Sequence, residues 1–403
     1  MKIVQINAVY NIGSTGRTTA EMHEALQKAG HESFVVYSQT NVNGVENTYH
    51  MGSPLDIKIH GFLSRLSGQQ GYFSVGSTRK LLKLLDHIKP DVVHLRNLHG
   101  NYVNLPMLLK YLAKKDIATV ITLHDFWFIT GKCVHYITEK CDKWQSQCDN
   151  CPNINNGNPS WFFDRTKKMH KDKKELFGNI PRLAITGVSK WVTDEAKKSP
   201  ISKNAVTQGI YNWIDFDKFY PRDVENLKTE NGLNDKFTIL GVASGWVARK
   251  GLDSFISLAK QKKDYNFILV GNMPTNVSLP ENMTAVGSLS SVDALAEYYS
   301  LADVFVTFST AETFGKVSAE AMACGTPVVC HNQTACPEIL GENCGYSVDV
   351  NDIQAVADAI DKVYKNKKSF YSENCIKHAR ATFEKSTLIN EYIDLYSKLC
   401  EDR

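Results

Sequence analysis

Two carboxylates, Glu312 and Glu320, stand eight residues apart in the stretch Ala311 to Cys324, which reads Ala-Glu-Thr-Phe-Gly-Lys-Val-Ser-Ala-Glu-Ala-Met-Ala-Cys. The apolar run Val304-Phe305-Val306 ahead of it predicts a buried strand. Val317, Ala321, Met322 and Ala323 recur at helical spacing until Gly325-Thr326-Pro327 stops the helix. Glu312 therefore falls on the loop after a strand, and Glu320 about one turn into the helix. Backbone N–H groups from Gly315 to Ser318 are the expected open donors of that helix N-terminus, and such a terminus binds phosphate. With a diphosphate on those amides, Glu312 faces the group attached on one side of it and Glu320 a ribose on the other. The bland alternative is two solvated acids, one placed early in a helix where it favours the dipole.

A second charged group, Arg249-Lys250, sits in the loop Gly245-Trp-Val-Ala-Arg-Lys-Gly251. A diphosphate leaving group needs positive charge aimed at its developing negative charge, and these two residues supply it without a metal. An exposed basic turn before a helix over Leu252 to Lys260 is the competing reading. Near the start, Tyr10-Asn-Ile-Gly-Ser-Thr-Gly-Arg17 is a loop between a first strand and a first helix, in which Gly13 and Gly16 allow close backbone approach to a substrate. A plain turn would look the same. His124-Asp125 follows a strand ending at Leu123, and a strand's carboxyl end is where an α/β sheet holds ligands. A lone His elsewhere is more often a satisfied core residue.

Cys133, Cys141, Cys148 and Cys151 fall within one short stretch beside His135, Trp144 and Pro152. The Cys148-x-x-Cys151 pair has a common zinc-ligand spacing, so a structural zinc on the four thiolates is expected. Reduced, partly buried thiols are the alternative, because the first two cysteines lack that spacing.

The elements that must position these residues are short apolar runs alternating with longer amphipathic stretches, the pattern of parallel-sheet α/β domains. Predicted strands run over Ile3 to Asn7, Ser33 to Tyr37, Val92 to Leu95, Thr119 to Leu123 and Ala184 to Gly187. A second set runs over Thr238 to Val242, Asn266 to Val270, Val304 to Thr307 and Pro327 to Val329. Tyr211 to Pro221 has the turn and aromatic character of an interdomain linker, and Phe370 to Arg403 reads as helical with a break near Thr382 to Lys385. A chain of 403 residues with 43% hydrophobic content is long enough for two cores. We place one domain over 1–205 with a Cys-rich insertion at 133–152, a second over 206–384, and a C-terminal helix over 385–403.

The net charge of +3 is unevenly spread. Residues 1–203 carry 27 Lys and Arg against 17 Asp and Glu, whereas the rest carry 19 against 26. A basic first half suggests phosphates, nucleic acid or an anionic membrane surface as partner, while the acidic second half argues against a general polyanion binder. Basic residues interleave with no recognisable nucleic-acid motif, so no nucleic-acid partner is expected. Asp164 to Lys174 holds Arg165, Lys167, Lys168, Lys171, Lys173 and Lys174, and Ile57 to Leu85 mixes Ile59, Phe62, Leu63, Leu66, Tyr72 and Phe73 with basic residues. Both could face an anionic bilayer, or be a solvated face over ordinary core. No apolar run approaches a membrane span, and Met1-Lys-Ile-Val-Gln-Ile reads as a first strand with no signal peptide. A cytoplasmic protein, peripheral on the inner membrane face, is the expectation, and its ten cysteines are then thiols or metal ligands and not a disulfide framework.

The acidic stretch resembles the nucleotide-sugar signature of retaining glycosyltransferases of GT-B architecture, the glycosyltransferase group 1 family. Gly245 to Gly251 resembles the family's phosphate loop, Ile268-Leu-Val-Gly271 its next strand, and Ala302-Asp-Val-Phe305 the strand before the acidic motif. Gly325-Thr-Pro-Val-Val329 and Pro337-Glu338 follow in the family's order. The match runs from about residue 185 to residue 350. Two positions depart from it: Trp246 stands where the family commonly has Arg, and Trp213 where the linker has Gly.

The resemblance implies two Rossmann-like parallel-sheet domains facing a central cleft, with the last helix crossing back to the first domain. It implies a retaining, metal-independent hexosyl transfer from a UDP- or GDP-type nucleotide sugar to a saccharide or lipid-linked saccharide in surface-polysaccharide (capsule or O-antigen type) biosynthesis. His124, Arg249, Lys250 and Glu312 are the implied catalytic residues. Gly13, Gly16, Phe314, Gly315, Lys316, Val317, Ser318 and Glu320 are the implied donor-binding ones. No cofactor is implied for catalysis. The Cys-rich insertion resembles one in a surface-polysaccharide branch of the family.

Rival readings need different features. A sugar-nucleotide epimerase or hydrolase of the same architecture would convert the donor with no acceptor. An NAD-dependent oxidoreductase would need Gly-x-Gly-x-x-Gly after a first strand, and Asn11 to Gly16 does not supply it.

Overall fold

A computed structural model describes residues 1–42, 44–233, 236–289 and 291–401. The chain divides into two compact units, Met1–Tyr211 with Ile389–Arg403, and Asn212–Leu388. Asp402 and Arg403, at the end of the expected C-terminal helix, lie outside the described residues.

The first unit holds a seven-stranded sheet of β1 (Lys2–Ile6), β2 (Glu32–Tyr37), β3 (Thr48–His50), β4 (Val92–Leu95), β5 (Ala118–Leu123), β6 (Leu183–Gly187) and β7 (Val206–Gly209). Their order is β3-β2-β1-β4-β5-β6-β7, and every pairing is parallel. The second holds β8 (Thr238–Gly245), β9 (Asn266–Asn272), β10 (Met283–Val286), β11 (Val304–Thr307), β12 (Val328–His331) and β13 (Gly345–Val348), ordered β10-β9-β8-β11-β12-β13 and again all parallel. Covered on both faces, the inner strands bury nearly every residue, as β4 and β5 do throughout.

All nine predicted strands form. The four that sequence periodicity did not reveal, β3, β7, β10 and β13, are the outer strands of the two sheets. They are short and largely half-buried or exposed, so they carry no apolar run to read. Because β7 pairs with β6, the first unit extends to Tyr211 and not to residue 205.

Trp213 needs none of glycine's freedom. Its φ is not positive, its side chain is buried, and the next N–H, of Ile214, donates to the Phe383 carbonyl at 2.9 Å. The helix Lys368–Phe383 ends at Glu384, the predicted break, and a new helix, Lys385–Glu401, begins. From Ile389 it belongs to the first unit, where the Tyr396 hydroxyl meets His94 Nδ1 at 2.7 Å and the Tyr392 hydroxyl meets Thr122 Oγ1 at 2.9 Å. These buried polar contacts fix the helix's register on the sheet, since leaving one unmade costs its full desolvation. Among the described residues no helix is long and apolar enough to cross a membrane.

Candidate active site

In an open parallel sheet the ligand crevice lies at the carboxyl ends of the strands where the strand order reverses. In the second unit that point falls between β8 and β11. Both sequence-predicted motifs leave from there, the Trp246 to Gly251 loop after β8 and the Phe308 to Gly315 loop after β11.

A bulge between Val242 and Gly245 shifts the register at the end of β8, where Gly245 still pairs with Asn272 of β9. Only glycine fits opposite it, because Gly271 has φ +123° and a Cβ there would stand 1.7 Å from the Ala243 carbonyl. The Trp246 ring then turns inward and packs edge-on against Phe255 at 5.3 Å. The position where the family commonly has Arg is thus core, which leaves the loop's positive charge to Arg249 and Lys250. Both lie in a 3-10 turn, Ala248–Lys250, closed by Gly251 at φ +75°. A Cβ on Gly251 would come within 2.3 Å of Phe308 Cβ, so the two loops touch at a place where no side chain fits.

Across that contact, Lys250 Nζ forms an ion pair with Glu312 Oε1 and stands 3.5 Å from Ser309 Oγ. The side chains are 18% and 19% exposed, while Arg249 is open to solvent. Thr310 N–H adds a long bond of 3.4 Å to the Arg249 carbonyl. Glu312 is itself tethered by its N–H to Thr334 Oγ1 at 3.2 Å and by its carbonyl, which accepts from Ala335 N–H at 3.3 Å.

Glu320 lies on the helix Lys316–Ala323 and is 1% exposed. The Tyr299 hydroxyl donates to its Oε2 at 3.0 Å. The reading of two solvated acids therefore fails for both residues, and Glu320 is held inside the unit with the help of Tyr299, a residue that no motif singled out. The open-amide expectation needs a correction. Ser318 N–H donates back to the Gly315 carbonyl at 2.9 Å, a tightened first turn that takes this donor from any phosphate. Gly315, at φ +92°, leads into the helix, with Lys316 and Val317 half-buried in its first turn. The Phe314 side chain is buried edge-on against Phe383 at 5.3 Å, so it can offer a ligand only its backbone.

In the first unit the strand order reverses between β1 and β4. Gly13 opens the helix Gly13–Lys28 at φ +65°. Gly16 serves the loop itself: its carbonyl accepts from Asn11 N–H at 2.9 Å, and a Cβ would press on Asn11 N and Val9 at 3.2 Å. His124 is half-buried at the end of β5, and its neighbour Asp125 forms a contact the sequence did not announce. Asp125 Oδ2 pairs with His99 Nε2 at 2.8 Å, and Oδ1 accepts from Trp127 N–H at 2.8 Å. Burial pulls the His99 pKa down, but the adjacent carboxylate outweighs it and raises the pKa. Burial likewise pushes Asp125 up, and His99 with the Trp127 amide outweighs it and holds the carboxyl below its usual value. The signal for His99 was its place in the loop after β4, beside the switch point.

The four clustered cysteines line one cavity of about 10 Å³, and Cys148 Sγ accepts from Gly131 N–H at 3.2 Å. All four are free thiols. Among the described residues no three His, Cys, Asp or Glu are placed as a metal-ligand set. The basic segment differs from expectation. Lys173 is buried, its ammonium bonded to the carbonyls of Trp127, Thr130 and Gly131. Lys167, Lys168 and Lys171 pair with Asp149, Asp172 and Glu175.

Known proteins resemble this chain in sequence and in fold. The profile described as "Glycosyltransferase Family 4" matches residues 15–218, and that described as "Glycosyl transferases group 1" matches residues 223–382. The chain is 27% identical over 203 residues to the Escherichia coli (strain K12) protein named "Putative colanic acid biosynthesis glycosyl transferase WcaC". That match covers 47% of this chain and 48% of that protein, so it spans about half of the relative's length. Among solved structures, sucrose-phosphate synthase (tll1590) from Thermosynechococcus elongatus superposes with TM-score 0.73 at 19% identity over 100% of both chains. Anabaena Alr3699/HepE in complex with UDP and glucose superposes with TM-score 0.67 at 16% identity, over 99% of this chain and 100% of that one. The chain belongs to Glycosyltransferase Family 4, and its two parallel-sheet domains have the GT-B fold.

Proposed function

We propose that this family member is a retaining, metal-independent glycosyltransferase that moves a sugar from a nucleotide-sugar donor to a saccharide or lipid-linked saccharide in surface-polysaccharide biosynthesis. The observation that carries the reading is the Lys250–Glu312 ion pair at the β8/β11 switch point. It puts a cation and a carboxylate side by side where an α/β sheet holds a nucleotide.

Lys250 and Arg249 take the donor diphosphate and neutralise the charge that develops as the bond from the anomeric carbon to phosphate breaks. The acceptor hydroxyl oxygen bonds to that carbon on the face the phosphate leaves, which retains configuration, and its proton passes to the departing phosphate oxygen. Glu312, released from Lys250 by the diphosphate, faces the sugar with the Phe314 to Lys316 backbone. Glu320, braced by Tyr299, orients toward the ribose. The donor is a UDP- or GDP-type sugar. UDP is supported by the Anabaena neighbour, whose structure contains it. The polysaccharide setting is supported by the colanic acid relative. Such an enzyme works in the cytoplasm, at the inner membrane face where lipid-linked saccharides are built.

A panel of nucleotide sugars screened by thermal shift identifies the donor. NMR of the product then reads the anomeric configuration, with and without chelator. Inversion, or an absolute need for magnesium or manganese, overturns the mechanism. Donor consumption with no glycosylated product overturns transfer itself.

A further inference from the structure

The helix Pro54–Ser67 in the first unit has its amphipathicity reversed. Its buried residues are His60, Gly61 and Ser64, whereas Leu55, Ile59, Phe62 and Leu66 face solvent on one stripe. A helix on a soluble surface turns that stripe inward. The exposed charges on the same stripe are Lys58 and Arg65, both cations, and neither pairs with an acid among the described residues. Asp56, the helix's acid, points elsewhere and accepts from Ser77.

A second apolar segment is fastened to the far end of this helix. Trp161 N–H donates to the Arg65 carbonyl at 2.8 Å, and the Trp161 ring meets Phe62 edge-on at 5.8 Å. Ser160 Oγ closes the turn on the Phe163 carbonyl at 2.6 Å. Trp161, Phe162 and Phe163 are all exposed, Phe162 by 69%, and the Arg165 guanidinium lies 5.4 Å from the Phe163 ring. Asp164, the only acid in this turn, is occupied by Cys151 N–H and by Thr166.

We infer that this stripe and turn form a docking surface for an anionic phospholipid bilayer. Aliphatic and aromatic side chains there reach the acyl boundary, while Lys58, Arg65 and Arg165 meet lipid phosphates; this combination of apolar face and cationic rim is what binds an interfacial helix to charged lipid. An exposed apolar surface on this scale calls for a partner, and the exposed cations Lys58, Arg65 and Arg165, against the single acid Asp164, select a polyanionic one over a second copy of the chain. The inference rests on the proposed function only in giving docking a purpose, the capture of a lipid-linked acceptor. It also relocates the contact: the Thr166–Gly178 helix, with Lys173 buried and three lysines paired to acids, contributes little.

The test is flotation of the full chain with vesicles of phosphatidylcholine alone or mixed with phosphatidylglycerol, which needs no turnover and so fails separately from the transferase reading. Wild type is expected to float with the anionic vesicles only. Phe62→Ser with Phe162→Ser should lower partitioning at least tenfold at an unchanged melting temperature, and Lys58→Gln with Arg65→Gln should lower it severalfold, as should high salt. Quenching of wild-type tryptophan fluorescence by brominated lipid is expected as well, and it requires no variant to fold. Absence of binding, or binding that the Phe62→Ser/Phe162→Ser pair leaves intact, overturns the inference. A wild-type dimer that this pair converts to monomer, with no vesicle binding, assigns the surface to a second copy and overturns it too.

Discussion

Lys250 and Glu312, 62 residues apart in the chain, are joined in an ion pair at the carboxyl ends of two neighbouring strands. A diphosphate that binds Lys250 must draw it from Glu312, so the pair is a competition between donor and carboxylate. Glu312→Gln removes the competitor. Donor affinity in this variant should hold or rise while kcat falls, whereas Lys250→Ala should cost about 2 to 4 kcal/mol of barrier. Calorimetric donor titration beside steady-state kinetics separates the two. Wild-type turnover in either variant would refute the assignment.

Glu320 depends on Tyr299 for one of its hydrogen bonds. Tyr299→Phe keeps the ring and removes that donor from a buried carboxylate, at a cost of about 1 to 3 kcal/mol. Urea unfolding should show the loss, and donor affinity should weaken with it. A variant that loses stability with donor affinity intact would make Glu320 a structural acid only.

Gly251→Ala tests the contact between the two loops. Positive φ costs a non-glycine residue about 1 to 3 kcal/mol, and the added methyl also runs into Phe308. We expect a drop in kcat/KM larger than the drop in melting temperature implies, because the displaced turn carries Arg249 and Lys250. Kinetics at wild-type level would show that the turn does not position them.

The His99–Asp125 pair makes stability depend on pH with a definite sign. His99 is raised, so its contribution is complete below about pH 6.5 and is lost as pH climbs through the raised value. Asp125 is lowered, so its contribution is complete above about pH 3.9 and is lost as pH falls through the lowered value. The melting-temperature difference between wild type and His99→Gln should therefore be greatest between those limits and shrink toward alkaline pH. A difference independent of pH would dissolve the pair.

The sequence by itself determined the parallel sheets, the linker after Tyr211, the helix break at Glu384 and the two motifs beside the β8/β11 switch point. Each of these is written in residues close together in the chain. A buried strand is a continuous apolar run, and the loop after β8 is a run closed by glycines with Arg249 and Lys250 between them. The outer strands β3, β7, β10 and β13 were not legible, because a half-exposed strand shows no such run. Tertiary structure alone decided that Lys250 meets Glu312, that Tyr299 braces Glu320, that Gly16 serves its own loop and that Lys173 is buried. It also decided that the apolar stripe of the Pro54–Ser67 helix faces outward. An apolar stripe at helical spacing reads the same whether core or solvent lies beyond it, since periodicity gives the stripe its face and only the packing of the rest of the chain gives that face a direction.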